Sequence, residues 1–119
     1  AWEQIGKAQK GFDILLVPAQ FGLRHRGRSV RRAREVMENN EFGLGAFAVG
    51  IMLLLHADRL QHYDDLWLDC TGDEYAPGAD GEFVYAPIFD FYDGELEFDC
   101  RKVDGAGDDF GSAAAFVPQ

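Results

Sequence analysis

Residues 87–101 read PIFDFYDGELEFDCR. The dipeptide Asp93-Gly94 favours a two-residue type I′ turn, whose central positions both need positive φ. A two-residue turn fixes the register of the strands it joins. It sets Tyr92 opposite Glu95, Phe91 opposite Leu96, Asp90 opposite Glu97 and Phe89 opposite Phe98. One face of the ribbon then carries Phe89, Phe91, Leu96, Phe98 and Cys100. The other carries Asp90, Tyr92, Glu95, Glu97 and Asp99. Turn chemistry and side-chain alternation agree, so the segment predicts an antiparallel hairpin with one apolar face to be covered.

The natural cover is FGLGAFAVGIMLLL, residues 42–55. At 14 residues the run is short of a membrane span, and it ends at once in His56, Asp58 and Arg59. It predicts a helix from about residue 41 to 57, started by Asn39 or Asn40. Apolar nearly all round, such a helix belongs inside the domain. Gly43, Gly45 and Gly50 each cost about 1 kcal/mol against Ala in a helix interior, which points to close approach by another element. A short helical turn over 59–63 is expected to follow.

Further segments complete an α+β reading. Residues 24–38, RHRGRSVRRAREVME, break at Gly27, and Ser29 is placed to cap a helix with a stripe of Val30, Ala33, Val36 and Met37. Arg31–Glu35 and Arg34–Glu38 are i,i+4 pairs of modest value. Leu66, Leu68 and Cys70 alternate with Trp67, Asp69 and Thr71 as in a half-buried strand. Residues 12–17, FDILLV, predict either a short buried strand or the end of a helix running from Trp2. Residues 72–82, GDEYAPGADGE, predict an acidic loop with turns at Pro77-Gly78 and Asp80-Gly81. The glycine- and alanine-rich tail tucks against the core through Phe110, Phe116 and Val117. The expected architecture is one compact domain over 1–119: a small antiparallel sheet with two helices packed on one face.

Charge is unevenly spread. The chain has a formal net charge of -10. Residues 1–59 hold nine basic and six acidic residues, whereas residues 60–119 hold two basic and 15 acidic ones. The overall field disfavours nucleic-acid phosphates and favours cations or basic partners. Six arginines fall within eleven residues, from Arg24 to Arg34. They suit phosphate or carboxylate recognition, but no aromatic residues interleave with them to stack bases. An alternative use is internal, neutralising an acidic sheet. Arg24, Arg26, Arg28, Arg31 and Arg32 are therefore one candidate partner surface. Asp90, Glu95, Glu97 and Asp99 are the other, because like charges opposite one another call for water, a cation or a basic partner.

Candidates for chemistry are sparse. His56, His62 and Asp69 are the catalytic candidates, as a base–carboxylate pair or a hydrolytic metal centre. Asp69, Asp73, Glu74 and Asp80 offer hard oxygen ligands for a metal, without the spacing of a calcium-binding helix–loop–helix. The stretch DGAGDD at 104–109 is one imperfect copy of a motif that works by repetition. No cofactor is expected. Cys70 and Cys100 read as buried thiols with one bridge possible. No signal peptide and no membrane association are expected, which points to the cytoplasm. The functional expectation is a small acidic interaction or regulatory protein that binds a protein partner or forms a homo-oligomer. The alternatives are a metal-assisted hydrolase and an acidic mimic of nucleic acid.

Overall fold

The computed structural model describes residues 2–11, 16–37, 39–74 and 84–118. The fold is α+β, with three helices and two sheets among the described residues. Helices α1, α2 and α3 span Trp2–Ala8, Val30–Val36 and Ala46–Leu55. The strands are β1 (Ala19–Gln20), β2 (Glu41–Gly43), β3 (Trp67–Asp69), β4 (Tyr85–Tyr92), β5 (Glu95–Lys102), β6 (Phe110–Ser112) and β7 (Ala114–Phe116). A three-stranded sheet has the order β1-β7-β2, and a four-stranded sheet the order β5-β4-β3-β6. All pairings are antiparallel except β3 with β6.

The hairpin forms as its turn chemistry predicts. Asp93 and Gly94 have φ of 53° and 78°, both in the left-handed region a type I′ turn requires. All four expected cross-strand pairs are present, and the ladder runs on to Tyr85 opposite Lys102. Around it, the tail does more than tuck in. Its β6 and β7 strands, joined at Ala113, belong to the two different sheets and link them. Small residues make this possible: Gly111 lies so close to Gly22 that a Cβ on either would strike the other's carbonyl.

Ser29 caps α2, its hydroxyl accepting from the Arg32 N–H at 3.1 Å. Val30 packs with Ala86 and Val103 in a small buried cluster. The main core gathers Leu44, Val49, Leu53, Leu60, Leu68 and Cys70, with Phe89 and Phe91 of the hairpin against it.

Four expectations change. The central helix begins at Ala46 rather than near residue 41, because residues 41–43 are drawn into a strand against β7. Its glycines do mark close approach: a Cβ on Gly43 would meet Thr71 at 2.7 Å. Helix α3 is not enclosed, since only Val49 and Leu53 are buried. The turn after it is a 3₁₀ turn over Ala57–Arg59. Asp69, expected on a wet face, is fully buried because β3 lies between β4 and β6. At the N-terminus the helix from Trp2 exists as α1, ending at Ala8. Residues 12–15 of the expected 12–17 strand, and the turns at 77–78 and 80–81, lie outside the described residues.

Candidate functional site

Two neighbouring surfaces, both built by the hairpin, carry the unusual chemistry. The first is apolar. Helix α3 lies along the hairpin face that holds Phe89, with Gly50 facing the Phe89 ring: a Cβ there would sit 3.5 Å from it, in ordinary contact. The helix covers the inner strands and leaves the outer strand β5 open. Phe47, Leu54 and Leu55 are 84%, 79% and 74% exposed, and Phe98 on β5 is 61% exposed. An open groove of about 600 Å³ runs between helix and hairpin, lined by Phe47, Ile51, Leu54, Leu60, Phe89 and Leu96 among others. A second of about 460 Å³ continues past Phe98 and Cys100 toward Asp73 and Glu74. The expected apolar hairpin face therefore exists, but its outer half is not core.

The second surface is the opposite face of the same strands. Asp90 is only 8% exposed. It sits opposite Glu97, and the β3–β4 register places Trp67 on its other side. Its Oδ1 is buried without a hydrogen-bond partner, as is Trp67 Nε1. Burial, then the charge and hydrogen bond of Glu97, then the charge of Asp99, push the Asp90 carboxyl up to about 6. Tyr63 stacks edge-on against Trp67 with centroids 5.7 Å apart, and Tyr92 lies 6.0 Å from Tyr63. Asp99 accepts from the Cys100 N–H at 2.8 Å. Among the described residues, no basic side chain pairs with Glu95, Glu97 or Asp99.

The arginine segment is engaged elsewhere. Arg24 Nε lies 3.4 Å from Glu41. Arg26 donates to the Asp108 carbonyl at 2.9 Å. Arg28 donates to His25 at 2.8 Å. Arg31 pairs with Asp104, and Arg32 with Glu35 at 3.2 Å. Arg34 donates to the carbonyls of Thr71 and Asp73, both at 3.0 Å, and reaches Glu74 at 3.2 Å. The expected Arg31–Glu35 pair is thus replaced by two others, and Glu38 lies outside the described residues. Arg26, Arg31 and Arg34 hold distant loops to the body of the protein, and among the described residues no hydrogen bond or ion pair joins an arginine of this segment to Asp90, Glu95, Glu97 or Asp99.

The catalytic and metal candidates do not assemble. Asp69 is gripped by Arg101 through two hydrogen bonds of 2.7 and 2.8 Å. Burial pushes its carboxyl up, against the opposing pull of that arginine. His56 is exposed at the end of α3, its ring edge-on to Phe21 at 5.9 Å. His62 is exposed in a turn that Asp65 organises by accepting from the Gln61 and His62 N–H groups at 2.8 and 3.0 Å. Those bonds, the Gln61 one foremost, hold the Asp65 carboxyl below the usual carboxylate range. No hydrogen bond or ion pair joins either histidine ring to Asp69 among the described residues. Asp73 caps α3 from outside, accepting from the Ala46 N–H at 2.7 Å, and Glu74 pairs with Arg34. Asp80 lies outside the described residues. Among the described residues no three His, Cys, Asp or Glu side chains gather as a metal would need. Cys70 and Cys100 are free thiols, and burial pushes the Cys70 thiol far up, away from thiolate chemistry.

One buried polar group was not singled out from the sequence. His25 Nε2 lies 2.7 Å from Glu41 Oε2, both side chains being essentially inaccessible. The guanidinium of Arg28 can only donate, so Nδ1 of His25 accepts and the ring proton of neutral imidazole lies on Nε2, facing Glu41. Both ring nitrogens are occupied, which makes this a structural clasp between the 3₁₀ turn at Leu23–His25 and β2. The partners are far apart in sequence and match no spacing rule, so no local signal announces them.

No family model matches this chain, and no curated protein or solved structure is significantly similar to it. Among the described residues no helix is long and apolar enough to cross a membrane.

Proposed function

We propose that this protein is an interaction module that binds a basic, amphipathic segment of a protein partner on the surface formed by α3 and β5. The observation that carries this reading is an apolar helix face, Phe47, Leu54 and Leu55, left in solvent beside the outer strand β5, whose other face bears carboxylates that no basic side chain pairs with among the described residues. A contiguous exposed apolar patch with a polar rim is the usual mark of a binding surface. Asp99, Asp73 and Glu74 border the second groove, the last two already engaged by the Ala46 N–H and Arg34, and Glu95 and Glu97 lie along the same strand on its other face. Complementary charge gives such a site its orientation and its preference for basic segments.

A second copy of the chain is the poorer occupant. Arg24, Arg26, Arg28, Arg31, Arg32 and Arg34 each already have intramolecular partners. Little basic charge remains to meet another copy's carboxylates. Two unbridged thiols fit the reducing interior of a cell, and the reading is of a cytoplasmic protein.

The test is fluorescence anisotropy with a labelled amphipathic peptide of leucine and lysine, beside light scattering of the protein alone. Binding that weakens on Phe47→Ser with Leu54→Ser, and that falls with salt, is the expected result. A peptide that binds the double variant equally well would overturn the reading. Concentration-dependent dimerisation abolished by the same substitutions would replace it with self-association.

A further inference from the structure

Among the described residues, strand β5 is the outer member of its sheet. It is eight residues long, and its ladder with β4 is continuous from Glu95 to Lys102, with no bulge. Long, regular outer strands are templates for pairing unless they are blunted by charged side chains, proline, a bulge or a covering element, and the carboxylates of β5 leave its edge to a strand of opposite charge. The direction of the free amides follows from the turn. The pair flanking a two-residue loop is hydrogen-bonded, so Glu95, Glu97, Asp99 and Arg101 turn their N–H groups toward β4. Leu96, Phe98 and Cys100 turn theirs outward. The Cys100 N–H, which bonds the Asp99 side chain, fits this parity.

We infer that the bound segment is an extended strand of alternating apolar and basic residues that adds to the open edge of β5, with a basic residue beside Glu97. This deepens the proposed function and rests on it. Two features of the edge choose the pattern. On one side an added strand would meet Leu96 and Phe98, so its apolar residues would fill the grooves that α3 leaves open. On the other it would meet Glu95, Glu97 and Asp99. The row across the sheet at that level runs Trp67, Asp90, Glu97, and the next position belongs to the partner. Asp90 is buried with an unpartnered oxygen, in contact with a second carboxylate. A lysine or arginine in the next position supplies the charge that the row lacks. Ladder bonds provide affinity in strand addition, and alternate side chains provide specificity.

The probe is a labelled eight-residue peptide of alternating valine and lysine. Its comparators are the same residues in two blocks, and two N-methylated forms, one modified at alternate amides facing β5 and one at those facing away. The alternating peptide should bind the full chain, and the block peptide should bind about tenfold more weakly, because half of its side chains then meet the wrong face of the strand. Methylation facing the protein should abolish binding in one of the two strand directions tested, whereas methylation of the other set should leave it. Glu97→Gln should weaken binding and flatten its salt dependence. If both methylated forms bind like the parent, strand addition is wrong. Should the leucine–lysine peptide still need Phe47 and Leu54 in that case, the interaction module stands without it. If neither peptide binds, both readings fall together.

Discussion

Asp90 faces Glu97 across β4 and β5, in a place where water scarcely reaches the first of them. The Asp90 carboxyl, at about 6, lies above its ordinary 3.8. Between those two values the folded protein holds a proton that the unfolded chain releases. The stabilisation from this group is therefore full below about pH 4 and is lost as pH rises through 6. Asp90→Asn keeps a donor toward Glu97 and removes the titration. The variant should gain on the order of 1–2 kcal/mol over the parent at pH 7, and the gain should vanish near pH 4. Urea unfolding of both proteins across pH 4–7.5 measures it. A constant difference would show that Asp90 does not titrate in this range.

Leu53 and Leu54 are adjacent in sequence and opposite in fate. The first is buried in the main core and the second stands in solvent. Leu53→Ala should cost about 2–5 kcal/mol through lost burial and the cavity left behind. Leu54→Ala should change stability by less than about 0.5 kcal/mol while reducing the binding of an environment-sensitive apolar dye. Equal losses of stability in the two variants would mean that α3 is covered on both sides.

Arg101 and Asp69 test the centre of the four-stranded sheet. The guanidinium reaches over β4 to Asp69, donates to the Gly105 carbonyl and lies 3.9 Å from the Phe110 ring centroid. Replacing it with Met leaves a buried carboxylate alone, at a cost of about 3–5 kcal/mol at pH 7. Without the opposing arginine the Asp69 carboxyl moves further up. Part of the loss should return as pH falls and the carboxyl is protonated. Thermal melts at pH 5 and pH 7.5 would show the recovery.

Gly111 tests the junction of the sheets. Its φ places no demand on glycine, but the Gly22 carbonyl lies where a Cβ would be. Gly111→Ala should destabilise by about 1–3 kcal/mol through overpacking that backbone cannot relieve. Gly94→Ala at φ 78° should cost about 1 kcal/mol by the different route of a strained turn. Crossed with Leu53→Ala, Gly94→Ala at the exposed turn should be nearly additive, whereas Gly111→Ala should couple to it, because Gly111 pairs with Leu68 of the same core cluster.

What was legible in the sequence was local. The hairpin register was readable because two turn residues with positive φ leave one pairing for the strands that follow. The start of α2 was readable because a serine hydroxyl satisfies an amide three residues on. The charge division between the two halves of the chain needed only counting. Of the candidate site, the carboxylate row and its pairing were visible in advance, but not which of its members would be buried.

Tertiary structure decided the rest, because burial depends on what lies beside an element and not on its own pattern. Helix α3 reads as core along its whole length, yet it buries Val49 and Leu53 on one side and no described element covers the other, so Phe47, Leu54 and Leu55 face water. Asp69 alternates like a surface residue, but the tail supplies β6 on its far side and encloses it. The arginines look like a free basic patch, and loops distant in the chain supply their acceptors. Local stereochemistry determined the turn, the cap and the strand pairing from the sequence alone. The long-range return of residues 110–116 decided which charges are paired and which surfaces remain open, since only chain closure brings those groups together.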